Sequence, residues 1–216
     1  MDESKEWKTV NKTKGKKGKN QGFIKKIIVD DDKNTSEKQN NNTDLEENID
    51  NGEQLQFSNY VMWCHDVFNK NWNIDAYEKL CEISDVSKFW RLFNNIEKLG
   101  FRVNNFFFMK EGVDPIWEHP QNRNGGICSF KTDIDQALDL FEKLCIRMIC
   151  NQLNDSFSDD FNNDINGISF SPKNNSAIIK IWNKDKKNDL SVSLSKDILD
   201  YCKDMSIKYK ENNPEY

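Results

Sequence analysis

Arginine, histidine, proline and long apolar stretches are all scarce in this 216-residue chain. No apolar run approaches the ~18 residues that a membrane span needs. The charged amino terminus lacks the apolar segment of a secretory signal, so a cytosolic protein without a membrane partner is expected. His65 and His119 are the only histidines, far apart and without metal-ligand spacing. There is no Gly-rich phosphate loop, no Gly-x-Ser-x-Gly and no zinc motif. The runs Asp30-Asp31-Asp32 and Asp159-Asp160 lie in polar acidic stretches, where solvated carboxylates are the ordinary outcome. A non-enzymatic protein without metal or cofactor follows. The six cysteines show no Cys-x-x-Cys spacing and fall mostly in apolar periodic segments, as reduced buried thiols do. Only 4 arginines stand beside 27 lysines and 29 asparagines, a usage typical of AT-rich coding sequence. Positions that call for arginine can then be held by lysine.

What charge there is, the chain distributes unevenly. Residues 1–28 hold nine lysines against Asp2, Glu3 and Glu6, and residues 29–53 hold nine carboxylates against Lys33 and Lys38. Residues 1–55 are poor in apolar groups and cannot bury enough surface to offset the entropy of ordering, so a disordered charged tail is expected there. A single domain is expected over 56–216.

From Phe57 the pattern changes. Phe57 to His65 alternates as a strand does, with Phe57, Val61 and Trp63 on one face. Ala76 to Ile83 reads as a second strand. Ser84 or Asp85 caps a helix from Val86 to about Leu99, ended by Gly100, with Phe89, Leu92, Phe93, Ile96 and Leu99 as its inward stripe. Val86 and Trp90 lie off that stripe. Strands follow at Asn105–Lys110 and Ile127–Phe130, then a second helix from Thr132 or Asp133 to about Ile149. Residues 151–163 read as a polar loop. Ile165–Phe170 and Ala177–Trp182 form a hairpin around a turn at 171–176, and a third helix (about 195–205) precedes a last strand at 206–210. The order predicts an α+β fold: a curved, mainly antiparallel sheet with three helices on its convex face, leaving the concave side free for a ligand.

Three tryptophans occupy positions with little reason to serve a core. Trp72 sits in Asn69-Lys70-Asn71-Trp72-Asn73, Trp117 is followed at once by Glu118, and Trp182 ends an apolar strand before the charged run 183–188. Two facing indoles can sandwich a purine, at ~1–3 kcal/mol per base, and a cationic ring adds ~0.5–2 kcal/mol of cation–π attraction. A carboxylate alongside only accepts hydrogen bonds, so it matches guanine's N1–H and N2–H donors and not adenine's N1.

The wider pattern resembles the eukaryotic translation initiation factor 4E family, the messenger-RNA cap-binding proteins, over about 57–210. Trp63, Trp72, Trp90, Trp117 and Trp182 stand in the family's order near its spacing. Asp85-Val86-Ser87-Lys88-Phe89-Trp90, the phrase from Lys110 through Asp114-Pro115-Ile116-Trp117-Glu118, and Asn124-Gly125-Gly126 echo its signatures. The resemblance implies that Trp72 and Trp117 stack 7-methylguanine, that Glu118 and the Trp117 N–H read the base edge, and that Trp182 packs on the N7-methyl. The phosphate side departs from the family. Its arginine after the Gly-Gly pair is Ile127 here, and its lysine four residues before the tryptophan is Ile178. Lys173 replaces a hairpin arginine, keeping the charge but losing the bidentate fork. Lys180, on the same strand face as Trp182, and Arg123 are the other candidate phosphate ligands.

The resemblance also implies a second surface on the helical back. There Val86 and Trp90, with Phe141, Glu142 and Cys145 of the second helix, would receive a Tyr-x-x-x-x-Leu-apolar helix from scaffold factor 4G or from 4E-binding repressors. The expected role is recruitment of capped mRNA to the initiation machinery by a protein monomeric outside its complex. A weak cap binder acting as decoy or repressor through the same helical surface is the alternative.

Overall fold

The structure, a computed structural model, describes residues 58–156 and 159–213. Residues 1–57, with the proposed tail and Phe57, lie outside the described residues.

Seven strands form one sheet: β1 (Tyr60–Asp66), β2 (Glu78–Ile83), β3 (Asn104–Lys110), β4 (Gly126–Asp133), β5 (Ile165–Lys173), β6 (Ser176–Asn183) and β7 (Ser206–Glu211). Their spatial order is β2-β1-β3-β5-β6-β4-β7, and every pairing is antiparallel. Side chains alternate between faces with period two. Tyr60, Met62 and Cys64 of β1, Phe106 and Phe108 of β3, and Ile179 and Ile181 of β6 therefore enter one large core, which the helices cover. Val61, Trp63, Phe107 and Trp182 take the opposite, concave face.

Five α-helices occur among the described residues where three were expected: α1 (Val86–Phe93), α2 (Ile134–Ile149), α3 (Asp159–Asp164), α4 (Leu190–Ser193) and α5 (Lys196–Tyr201). Asp85 caps α1, its carboxylate accepting from the Lys88 N–H at 2.8 Å. The expected single helix from Val86 to Leu99 is broken at Asn94-Asn95, where the Asn95 side chain bonds the Arg91 carbonyl at 2.8 Å. The chain resumes as a 3-10 turn, Ile96–Leu99, closed by Gly100 at φ 78°. All five residues of the predicted stripe are buried. α2 lays Ala137, Leu140, Phe141, Leu144, Cys145 and Met148 on β4, β5 and β6, each large side chain contributing about 1.5–3 kcal/mol by burial.

Two further expectations are corrected. The polar stretch 151–163 contains the start of α3 and a buried Leu153. The hairpin turn is only Asn174-Asn175, because Ser171 and Pro172 pair in register with Ile178 and Ala177. Asn174 supplies the left-handed conformation, φ 50°, that so tight a connection requires. All six cysteines are free.

Candidate functional site

The concave face carries a second, smaller apolar cluster of Phe107, Met109, Val113, Ile127 and Trp182, with Trp63, Tyr77 and Trp117 packed on it. Register explains the grouping. Met109, Gly167, Trp182, Ile127 and Lys210 form one rung across β3-β5-β6-β4-β7, and Phe107, Ser169, Lys180, Ser129 and Lys208 form the next. Above this floor opens a cavity of about 310 Å³ lined by Trp72, Tyr77, Phe107, Pro115, Ile116, Trp117, Glu118, Ser171, Lys180 and Trp182. Trp72, Trp117, Glu118 and Trp182, chosen from sequence for a base site, are thus brought to one hollow.

Trp72 is 53% exposed, on a loop that would otherwise have little to hold it. Its indole stacks on the buried His65 ring, centroids 4.2 Å apart and planes 13° off parallel. The carbonyl of Asn71 lies 2.7 Å from His65 Nε2. Since a carbonyl only accepts, Nε2 carries the proton. Asn69 and Asn71 side chains accept from the Asn71 and Asn73 N–H groups at 3.0 Å each, curling the loop beneath the indole. Tyr77 borders the cavity at an angle to both His65 and Trp72. Burial raises its hydroxyl's pKa, and the Glu118 charge raises it further, so the phenol stays neutral.

The Trp117 loop is held by buried asparagines. Asn122 donates to the carbonyls of Asp114 (2.9 Å) and Ile116 (2.8 Å), on the segment leading to Trp117. Asn166 donates to Gln121 O (2.7 Å) and Asn122 Oδ1 (2.8 Å), and Asn212 donates to Asn122 O (2.8 Å). The loop ends at Gly125-Gly126, where the backbone passes so close to β6 that a Cβ on Gly125 would fall 1.7 Å from the Asn183 carbonyl oxygen. Sequence reasoning missed these amides because their abundance looked like nucleotide bias.

Trp182 departs from expectation. It is 2% exposed, with Nε1 donating to Ser169 Oγ at 2.9 Å. It is a floor of the cavity shared with the core, since strand alternation seats it between Ile127 and Gly167. Among the expected cations, Lys180 alone lines the cavity. Burial lowers its pKa, and the charges of Lys173 and Lys210 lower it further. Lys173, at the exposed end of β5, and Arg123, in the loop before Gly125, do not line the cavity. Lys210, missed from sequence, places Nζ 5.8 Å from the Trp117 ring centroid. Its signal was legible in Ser206-Ile207-Lys208-Tyr209-Lys210, where alternation turns both lysines away from the core. Ile127 is buried in the apolar cluster and offers no charge. Among the described residues no group of three or more His, Cys, Asp or Glu could hold a metal ion.

On the helical back, Val86 (51% exposed) and Trp90 (39%) project from α1. Phe141 and Cys145 are corrected: both are 0% exposed, pointing from α2 into the core. Glu142, half-buried beside Asp139, is the one residue of that trio turned outward, and burial raises its carboxyl pKa.

The family model for eukaryotic initiation factor 4E matches residues 54–215. The chain belongs to the initiation factor 4E family. Among curated relatives, this 4E-family protein is 29% identical over 127 residues to wheat (Triticum aestivum) translation initiation factor NCBP, covering 57% of this chain and 51% of the relative. It is 25% identical over 134 residues to Caenorhabditis elegans initiation factor 4E-1, covering 61% and 62%. The chain therefore spans about half to three-fifths of the length of these two relatives. Among solved structures, Ascaris suum eIF4E-3 with an m2,2,7G cap superposes at TM-score 0.58 with 20% identity, over 74% of this chain and 91% of that one. A Schistosome eIF4E complexed with m7GpppG and 4E-BP superposes at TM-score 0.52 with 20% identity, over 61% and 72%. At those identities the superpositions establish a shared fold.

Proposed function

We propose that this 4E-family chain binds the 7-methylguanosine cap of mRNA and delivers it to the translation-initiation machinery without catalysing a reaction. The observation that carries the proposal is the single hollow bordered by Trp72, Trp117 and Glu118 over a floor of Phe107 and Trp182. In this reading the two indoles stack the cationic base, at ~1–3 kcal/mol for stacking. Glu118 accepts from guanine's N1–H and N2–H with charge-assisted hydrogen bonds. Trp182 meets the methyl side from below. Lys180 and Lys210 take the phosphate chain in place of the arginine replaced by Ile127. Val86, Trp90 and Glu142 receive an amphipathic helix from a scaffold or repressor protein, which is how an exposed apolar helix face is used. The site works in the cytoplasm and within residues 56–216, so removing residues 1–54 leaves cap binding intact.

Titration of the purified protein with 7-methyl-GTP and with GTP, followed by tryptophan fluorescence, tests this. The methylated nucleotide quenches strongly and binds tighter, and Trp117→Ala and Glu118→Gln each abolish the preference. Equal weak binding of both nucleotides refutes it. The buried Ile127 favours one second reading, a decoy or repressor with weak cap affinity. Weak binding of both nucleotides with retained capture of a Tyr-x-x-x-x-Leu helix by the Val86/Trp90 surface identifies that case.

A further inference from the structure

The strands beside the cavity carry more lysine on the concave face than a cap alone can use. Alternation puts Lys173 of β5, Lys180 of β6, Lys131 of β4, and Lys208 and Lys210 of β7 on that one face. Asp133, at the far end of β4, is the single carboxylate these strands direct to the same side. Lys131, Lys173, Lys208 and Lys210 are exposed, in a chain whose net charge is −5. Among the described residues the ion pairs made by lysine engage Lys79, Lys88, Lys143 and Lys186, and none of these five. Four of the five thus face solvent outside any ion pair among the described residues, and Lys180 stands in the cavity wall.

Their spacing is regular. Lys180 and Lys208 are opposite Ser129 on either side of β4, about 10 Å apart across two strand intervals. Lys208 and Lys210 are about 7 Å apart along β7, and Lys131 lies diagonal to Lys208 at about 7–8 Å. Ser129 spends its hydroxyl on the Lys208 carbonyl at 3.0 Å, so nothing bulky stands between the lysines. The strip begins at the cavity, where Lys180 forms part of the wall and Lys210 lies over Trp117.

We infer that Lys131, Lys173 and Lys208 form a track for the phosphodiester backbone of the single-stranded RNA that follows the capped nucleotide. The inference rests on the cap-binding reading for its direction, because only a ligand whose 5′ end sits in the cavity would leave it over Lys180 and Lys210. The track reads no bases, since lysine meets phosphate as a point charge. Its contribution is therefore sequence-independent and salt-sensitive.

The test compares four ligands on the full chain at several salt concentrations: a 7-methylguanosine-capped dinucleotide, a capped twelve-nucleotide RNA, the same RNA uncapped, and a poly-glutamate of equal length. The capped RNA is expected to bind at least tenfold tighter than the capped dinucleotide at 50 mM salt. With about three phosphates neutralised on a single strand, the track's contribution weakens roughly twentyfold by 200 mM, enough to remove a tenfold advantage. The triple variant Lys131→Gln, Lys173→Gln, Lys208→Gln loses the advantage, read as the ratio of capped-RNA to capped-dinucleotide affinity within that variant. No advantage of length, or an advantage that survives in the triple variant with the same salt slope, overturns the track. If the dinucleotide fails to bind, the cap reading falls by itself. The uncapped RNA then still decides the track, which stands if that binding is lost in the triple variant and falls otherwise. Poly-glutamate binding tighter than RNA, and lost in the triple variant, makes the strip a protein-docking face and overturns the proposal.

Discussion

Replacing His65 with leucine tests whether the exposed indole of Trp72 is aimed by what lies beneath it. The substitution keeps apolar bulk in a buried site but removes a stacked aromatic pair with centroids 4.2 Å apart, worth about 0.5–1.5 kcal/mol. It also removes the 2.7 Å hydrogen bond to the Asn71 carbonyl, worth about 1 kcal/mol. Together these take about 1.5–2.5 kcal/mol from the arrangement that points Trp72 over the cavity. If the loop then holds that arrangement only part of the time, apparent affinity falls in proportion to the lost population. A loss of about 1.5 kcal/mol corresponds to roughly tenfold. Fluorescence titration with 7-methyl-GTP should show a roughly ten- to sixtyfold weaker Kd. His65→Phe restores the stack without the hydrogen bond and should recover most of the affinity. A leucine variant that binds within twofold of the parent refutes the argument.

Gly125→Ala should destabilise the fold by about 1–3 kcal/mol or more, read as a lower urea midpoint, because its methyl would meet backbone at 1.7 Å and not a movable side chain. Raising the pH above 9 should lower stability. Burial pushes the thiols of Cys64, Cys81 and Cys128 up to about 12, Cys202 to about 11, and Cys145 well up. The folded state thus keeps protons that the unfolded chain releases, so this stability is complete below the ordinary thiol range and is lost as pH rises through it. At pH 10 each fully buried thiol costs about 1.4 kcal/mol. Lys110, lowered to about 8 by burial, and Lys180, also lowered by burial, oppose this in part over the same window. Urea melts at pH 8 and pH 10 should show the net fall, and Cys128→Ala should flatten it. Val86→Asp should abolish capture of a Tyr-x-x-x-x-Leu peptide in a pull-down while 7-methyl-GTP affinity stays within twofold.

The strand and helix segments were legible because their apolar period matched the face each one buries. Phe89, Leu92, Phe93, Ile96 and Leu99 made a helical stripe, and β6 stood out as a short apolar run from Ala177 to Trp182 interrupted by Lys180. What failed was local competition by asparagine. Asn95 ended α1 early through its own side chain, and Asn174 allowed a two-residue turn where six residues were expected. The candidate site was legible wherever an aromatic side chain stood among polar neighbours, as at Trp72 and Trp117. Trp182 looked the same in sequence but is buried in the cavity floor, since one apolar strand position can face either of two cores. Phe141 and Cys145 were misplaced for a related reason. Neighbouring positions on a helix point about 100° apart, so locating the exposed edge needs the phase of α2 on the sheet.

The buried amides behind Trp117 have a consequence for how the protein senses its medium. Asn122, Asn166 and Asn212 set the shape of the Trp117 loop with neutral groups, whereas a nucleotide bound as proposed would be attracted by ionised ones. Ionic strength can thus release a bound nucleotide without deforming the seat it leaves. Chemical ageing would do the reverse: conversion of Asn166 to aspartate would replace two donors with an acceptor, and the seat would be lost while the surrounding charges remained.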